Sequence, residues 1–291
     1  MAQAILILAH KDADYIYSLS VLLKKNFNVY VHFDTKFSLT EEVKDKFHAA
    51  NIFVCQKINV KWGAFSIVEA TFVLMKEALK NKDNTFFHLI SGQDFPIIDI
   101  NKIFEFYEGN TNIYMTYSFS KNCIKSHENV LWWQKYYFYF DKISRRTWYG
   151  KIYHRISLIF QILLGINKFK SLDINEDMYH CSEWIDIPRE PLEYVFTFLN
   201  EHKNWLKLFQ TSAFPDESIF QTILCNSKYK EKIINNNHRY IDWKHKYKNG
   251  PKFLDVTDYD KIKKTNCHFA RKIDKNISKE LIIKLKKELI I

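Results

Sequence analysis

The chain has 291 residues, of which 47% are hydrophobic and 16% aromatic, so it can bury a substantial core as one large domain. Its formal net charge of +10 implies an anionic partner: a nucleic acid, a membrane surface or a phosphorylated small molecule. The five cysteines are widely spaced and include no CxxC pair, which argues against a disulfide framework and a zinc site and favours a reducing cytoplasm.

The N-terminal half alternates predicted strands and helices. The first apolar run, residues 4–9, has only strand length and no basic lead, so we expect a strand and not a signal peptide. The elements that follow are a helix at residues 15–22, a strand at 28–33, a charged helix, a strand at 52–55, a helix at 65–79 and a strand at 86–90. This alternation predicts an α/β fold with a mostly parallel central sheet flanked by helices.

The second half is less regular. Residues 131–170 form an insert that is dense in aromatic and cationic residues, with an apolar helix near residues 156–164. The remaining predicted elements are a strand at residues 180–187, helices that begin at Pro188 and Pro215, a strand at 239–243 and a basic amphipathic helix at 278–291. No linker separates two domains, so we expect a single domain over residues 1–291 with a helical insert. The insert and the last helix either pack against other helices or lie on an anionic membrane face.

Polar residues follow three of the predicted strands, where open α/β sheets place their ligands. His10 and Lys11 follow the first strand, and Asp34 follows the second. In HLISGQDFPI, a Ser-Gly pair ends another strand and sets Gln93 and Asp94 at its carboxyl end. These positions predict a ligand site, with a packed histidine as the alternative for His10 and a capped turn as the alternative for Asp34.

Eight motifs occur in a fixed order along the chain: AHKD, HFDTK, KWGAFSIVEAT, LISGQDFPI, CSEWIDIPRE, FPDESIFQTIL, RYIDW and HFARKID. This ordered set resembles the core 2/I-branching β-1,6-N-acetylglucosaminyltransferases and their xylosyltransferase relatives, glycosyltransferase family fourteen, and suggests a bacterial member. Residues 111–178 lie outside the resemblance. It implies a GT-A-like fold and inverting transfer of a sugar from a UDP-sugar to a hydroxyl of a glycan acceptor. Residues 1–110 would bind the nucleotide, and residues 111–291 would bind the acceptor and carry the catalysis.

The resemblance implies that Glu217, in FPDESIF, is the catalytic base. Inverting transfer needs a carboxylate that takes the proton of the acceptor hydroxyl. Pro215 suits a first helical turn, and a carboxylate in that turn is stabilised in its ionised form by the helix dipole. Asp216 ranks second, as an orienting residue. The alternative is that Pro-Asp-Glu is ordinary helix-start composition.

Cationic residues are expected to stabilise the leaving diphosphate. The resemblance implies this role for Lys272 in HFARKID, with the neighbouring Arg271 and, in GPKFL, Lys252 as further candidates. Solvated surface charge is the alternative for each. The nucleotide itself would contact His10, Lys11, Asp34 and Trp62.

The acceptor and the transferred sugar would be bound by aromatic and polar groups. Trp243 in RYIDW matches a family tryptophan, and an indole face suits the C–H surface of a pyranose. Asp94 and Gln93 would hold sugar hydroxyls or brace the site. Ser182 and Trp184 match a further family element, and Asp216 belongs to the same group.

No metal cofactor is expected, because neither Asp-x-Asp string, at Asp12–Asp14 or Asp258–Asp260, follows the strand that carries the metal site of other GT-A enzymes. A metal-dependent transferase using Asp12 and Asp14, or Asp94, is one alternative. UDP-N-acetylglucosamine is the first expected donor and UDP-xylose the second. The expected acceptor is a surface polysaccharide or lipooligosaccharide precursor, free or lipid-linked. The protein would meet it in the cytoplasm or on the inner face of the membrane. Outside enzymes, the alternative is a protein that binds single-stranded nucleic acid.

Overall fold

A computed structural model of the chain describes residues 1–125, 128–245 and 250–289. The strands are β1 (Ala2–Ala9), β2 (Asn28–Phe33), β3 (Phe53–Cys55), β4 (Asn84–Ser91), β5 (Asp94–Pro96), β6 (Ile113–Phe119), β7 (Ile124–Lys125), β8 (Glu128–Asn129), β9 (Tyr179–Pro188), β10 (Ile233–Ile234), β11 (Arg239–Ile241) and β12 (Phe269–Arg271). The helices are α1 (Ala13–Leu23), α2 (Glu41–Ala49), α3 (Phe65–Lys80), α4 (Ile100–Tyr107), α5 (Leu131–Lys135), α6 (Trp148–Leu163), α7 (Lys168–Ser171), α8 (Arg189–Glu201), α9 (Lys203–Gln210), α10 (Ile219–Cys225), α11 (Tyr259–Lys263) and α12 (Lys279–Lys286).

The chain forms two compact units, and the first comprises Met1–Lys57, Val73–Thr111 and Asn236–Ile291. In this unit four parallel strands lie side by side in the order β4, β1, β2, β3. Residues 4–9 of the central strand β1 form a continuous apolar run, as expected for a strand that is buried on both faces.

The carboxyl ends of β1, β2 and β4 meet at one edge of this unit. The N–H of Asp34 donates to Ala9 at 2.9 Å, and the N–H of Gly92 donates to Leu8 at 2.9 Å, so both segments stay attached to β1 beyond their own strands. A Cβ atom on Gly92 would lie 2.4 Å from Cδ1 of Ile16. A side chain at this position would therefore displace the end of the Ile16 side chain of α1.

A second, smaller sheet in the same unit has the order β11, β12, β5. β12 runs parallel to β11 and antiparallel to β5, and its register sets Arg271 opposite Asp94. β5 was not predicted: it follows β4 after only two residues, and its pairing partner β12 lies far along the chain.

The second unit comprises Ile58–Phe72 and Asn112–Asn235. Here β6 pairs in parallel with β10 and antiparallel with β9. A buried cluster of apolar residues joins the insert to the rest of this unit; its members are Ala64, Val130, Trp133, Tyr136, Phe138, Phe140, Leu158, Ala213 and Phe214.

The predicted α/β class and mostly parallel strand pairing are confirmed. The helix predicted near residues 156–164 begins earlier, at Trp148, because the side chain of Thr147 accepts a hydrogen bond from Gly150 N and caps it. The last helix begins one residue later than predicted, at Lys279, and ends at Lys286, so residues 287–289 of that prediction are not helical, while residues 290 and 291 lie outside the described residues. The division of roles at residue 110 stays a prediction, and residues 236–291 belong to the first unit. No helix in the described ranges is long and apolar enough to cross a bilayer.

Candidate functional site

Glu217 lies at the end of a single 3-10 turn, Pro215–Glu217, in the second unit. The turn follows Phe214, which has a left-handed backbone conformation with φ of 50°. Gly63 positions Phe214: its carbonyl accepts a hydrogen bond from Phe214 N at 2.9 Å, and a Cβ there would lie 2.7 Å from the phenyl ring. The glycine of the KWGAF motif is therefore needed to seat the turn that carries Glu217.

One carboxylate oxygen of Glu217 meets two nitrogen atoms. Oε2 lies 3.1 Å from Nζ of Lys125 and 3.1 Å from Nε2 of His180, and these two nitrogens are 2.7 Å apart. The other oxygen, Oε1, makes no hydrogen bond within the described parts of the chain, and the side chain is 29% exposed. Glu217 is thus held by one oxygen and open at the other.

Burial raises the pKa of Glu217, but the hydrogen bond to His180 and the charge of Lys125 outweigh it and bring that pKa below its ordinary value. Burial lowers the pKa of His180, although Glu217 opposes the shift. At neutral pH Glu217 is therefore ionised and His180 neutral. A neutral Nε2 accepts from the ammonium of Lys125 or donates to Glu217, but it does not do both at once.

Asp216 behaves in the opposite way to its neighbour. Burial, together with the negative charges of Glu183 and Glu217, raises the pKa of Asp216 well above its ordinary value. Its Oδ1 is buried and has no hydrogen-bond partner in the described ranges. Adjacent carboxyl groups with opposite shifts can act as an acid and a base at the same pH.

Two members of this site, Lys125 and His180, were not predicted from the sequence. His180 directly precedes the CSEW motif on β9, and this position is a signal that the motif could have supplied. Lys125 lies among residues 111–178, where no motif marks a functional position.

The remaining site candidates of the second unit surround this turn or support it. Trp62 is exposed; its ring contacts Phe214 edge-on at 5.0 Å, and the guanidinium of Arg146 lies 5.2 Å from its centre. Ser182 accepts a hydrogen bond from Thr116 Oγ1 at 3.3 Å. Trp184 is buried, so its ring is part of the core.

The first unit gathers cations at the carboxyl end of β1. Burial and the charges of Lys11, Lys272 and Arg271 lower the pKa of His10, and only Asp34 opposes them. Three cationic side chains from AHKD and HFARKID, namely Lys11, Lys272 and Arg271, therefore act on His10, as the binding of an anion requires.

Carboxylates balance part of this charge. Nζ of Lys11 lies 2.7 Å from Asp274 Oδ2 and 3.2 Å from Asp12 Oδ2, and Lys275 reaches the other oxygen of Asp12 at 2.6 Å. Asp14 is exposed. In residues 1–125, 128–245 and 250–289, no three His, Cys, Asp or Glu side chains are grouped as ligands of a metal ion.

The LISGQDFPI motif anchors the segment that carries Lys272. Asp94 is fully buried, and its Oδ2 accepts from Ser91 N at 2.6 Å, Ser91 Oγ at 2.5 Å and Arg271 Nη1 at 3.3 Å. The carbonyl of Gln93 accepts from Ile273 N at 2.8 Å. Residues on both sides of Lys272 are thus tied to this motif, and of the two predicted roles for Asp94 these contacts favour bracing.

Lys272 itself is partly exposed, with Nζ 4.9 Å from the centre of the Phe253 ring. Lys252 is engaged elsewhere: its Nζ lies 2.6 Å from Oδ2 of the fully buried Asp258, which helps to raise the pKa of Lys252. Its prediction as a diphosphate ligand stays a prediction. The contact shows that Lys252 neutralises a buried carboxylate.

Asp34 and Trp243 are the remaining candidates of the first unit. Asp34 is buried and accepts from Lys36 N at 3.0 Å, so it also shapes the turn after β2. Trp243 is 55% exposed and is not a core residue. An exposed indole is available to a ligand such as a sugar ring.

Comparison with known proteins adds a family assignment. A family model described as Core-2/I-Branching enzyme matches residues 6–265. A xylosyltransferase of Ciona intestinalis is 24% identical over 286 residues, covering 91% of this chain and 31% of that protein. Beta-glucuronosyltransferase GlcAT14A of Arabidopsis thaliana is 30% identical over 90 residues, covering 31% of this chain and 17% of that protein. The chain therefore spans less than a third of the length of either relative. The apo structure of the bifunctional glycosyltransferase WbbM aligns over 95% of this chain and 46% of its own, at 9% identity. The TM-score of that alignment, 0.39, is too low to support a conclusion about this chain.

Proposed function

This chain belongs to the Core-2/I-Branching enzyme family, and from that premise we propose that it is an inverting glycosyltransferase that moves a sugar from a UDP-sugar to a hydroxyl of a glycan acceptor. The observation that carries the proposal is Glu217, an ionised carboxylate held at Oε2 by Lys125 and His180 and open at Oε1.

The base step follows from that geometry. Oε1 of Glu217 takes the proton of the acceptor hydroxyl, the acceptor oxygen forms a bond to the anomeric carbon, and the bond from that carbon to the diphosphate breaks. UDP carries away the electron pair of the broken bond. Because the nucleophile enters opposite the leaving group, the product is a β-linkage when the donor is α-linked.

The leaving diphosphate gains negative charge, which a cation can stabilise. We assign this role to Lys272, whose neighbours on both sides are tied to the LISGQDFPI motif and whose charge acts on His10. Arg271 positions this segment through its contact with Asp94. With the ammonium of Lys272 in this role, the proposed reaction needs no divalent metal.

N-acetylglucosamine is the first sugar to test, since the matching family is described by its branching enzymes. The relatives named xylosyltransferase support UDP-xylose as the second donor. We also propose a cytoplasmic location; the cysteines Cys55, Cys123, Cys181, Cys225 and Cys267 are all free thiols, which suits a reducing compartment.

The test begins with a screen of UDP-sugars for donor hydrolysis and thermal stabilisation of the protein. The UDP-sugar that is hydrolysed or that stabilises the protein is then assayed with the Glu217→Gln variant. We expect unchanged donor binding and a turnover reduced by about two to four orders of magnitude. Glu201→Gln, at an exposed position, is the matched control and keeps full turnover. Near-normal turnover in Glu217→Gln would remove this residue from the base step.

A further inference from the structure

One side of helix α6 is covered with exposed apolar and aromatic side chains. Ten of them, from the first residue of the helix to the residue after its end, are between 42% and 76% exposed: Trp148, Tyr149, Ile152, Tyr153, Ile156, Ile159, Phe160, Ile162, Leu163 and Leu164. A soluble surface tolerates such residues singly, but a contiguous patch marks an interaction site.

The arrangement around the helix axis is amphipathic in the reverse sense of an ordinary surface helix. The face toward the protein is formed by small and polar residues and one leucine, namely Gly150, His154, Leu158 and Gln161. At about 100° per residue, all the exposed apolar side chains except Ile162 fall in one arc of about 160° on the opposite face. The more hydrophobic face of α6 therefore points away from the protein.

Cations line this face. Lys151 and Arg155 are exposed and lie at one edge of the apolar arc. The whole insert, residues 131–170, contains eight Lys or Arg residues and a single acidic residue, Asp141. An apolar face with aromatic residues and a basic border matches the interfacial region of a bilayer that contains anionic lipids.

The same charges disfavour a second copy of this chain as the occupant. A two-fold symmetric interface sets the same patch of both copies against each other, so the cationic border of one copy enters a contact made by an equally cationic border. Lys151 and Arg155 would then face further cations across the contact, with only Asp141 of the insert available to offset them.

We propose that α6 lies in the plane of an anionic lipid bilayer, with its apolar arc among the acyl chains and Lys151 and Arg155 at the headgroups. Membrane binding by this face is independent of the proposed transferase activity. Where that activity also holds, the helix couples the bilayer to the base: Leu158, on the protein side of α6, packs in the cluster that contains Phe214, the residue before the turn of Glu217.

Flotation of the full chain with phosphatidylcholine vesicles, with and without phosphatidylglycerol, measures this binding without any turnover. We expect recovery with the anionic vesicles, weakened by salt. The triple variant Ile152→Ser, Ile159→Ser and Leu163→Ser should lose binding at least ten-fold. The matched control changes three exposed apolar residues elsewhere, Val21→Ser, Ile234→Ser and Ile277→Ser, and should float like the wild type.

The charged border has its own variant, Lys151→Gln with Arg155→Gln, which should weaken binding by about five-fold for each charge removed. Circular dichroism checks that every variant remains folded. Three results overturn the proposal: no flotation of the wild type, equal flotation of the triple variant, or a dimer in sedimentation analysis that the triple variant dissociates.

Discussion

Lys125 lies where it can keep the proposed base ionised, and its removal measures that effect. Its Nζ is 3.1 Å from Glu217 Oε2. At that separation two unit charges interact by about 5 kcal/mol at an effective dielectric constant of about 20 and by about 1 kcal/mol in bulk water. The Lys125 side chain is 45% exposed, so solvent screening places the pair near the lower end, at about 1–2 kcal/mol. Lys125→Met should therefore raise the pKa of Glu217.

The assay is the pH dependence of initial rates. Only the ionised carboxylate accepts a proton, so activity is lost as the pH falls through the pKa of Glu217. The acid limb of Lys125→Met should lie at higher pH than that of the wild type. The ratio of the variant's rate to the wild-type rate should fall as the pH is lowered into the limb and become constant below both pKa values. Lys121→Met, which removes another exposed lysine of the same region, should leave the limb in place. An acid limb that does not move in a folded Lys125→Met protein would refute the electrostatic role of Lys125.

The remaining predictions concern stability and metal use. Because the pKa of Asp216 is raised by folding, its stabilising effect is complete below the unfolded pKa of about 3.9 and is lost as the pH rises through the folded pKa. The melting temperature of Asp216→Asn minus that of the wild type should therefore increase from acid to neutral pH, by about 2–4 °C for each kcal/mol of stability that the wild type loses. A difference that stays constant with pH in differential scanning fluorimetry would contradict this. Gly63→Ala combines a φ of +72° with a Cβ 2.7 Å from Phe214 and should lower the free energy of unfolding in urea by about 2–4 kcal/mol. Gly109→Ala, with a φ of +65° and open space around the Cβ, is the control, and an equal loss there would show that the contact with Phe214 is unimportant. Transfer should survive EDTA, whereas complete loss with rescue by manganese would overturn the assignment of the leaving-group role to Lys272.

Local patterns predicted much of the fold. Residues 28–33 were predicted as a strand and form β2 with the same bounds, because alternating and continuous apolar runs report burial within a few residues. Helix α3 begins at the predicted residue, Phe65. By contrast β5 was not predicted, since Asp94 finds its partner Arg271 only in the folded sheet.

The candidate site, like the fold, was predicted only in part from the sequence. The motifs led to Glu217, to Lys272 and to the polar groups at the strand ends through a resemblance that rests on local order. The motifs did not reveal that Lys125 and His180 contact Glu217. Nor did they reveal that Lys252 forms an ion pair with Asp258 or that Asp94 is fully buried.

The sequence by itself determined most strands and helices of the N-terminal half and the positions of the chemically distinctive motifs. The tertiary structure alone decided which charges are paired and which carboxyl group is ionised. Lys125 and Glu217 are 92 residues apart in the chain but 3.1 Å apart in space. Electrostatic and hydrogen-bond energies depend on separations of a few ångströms and on burial, and neither quantity is encoded by neighbours along the chain.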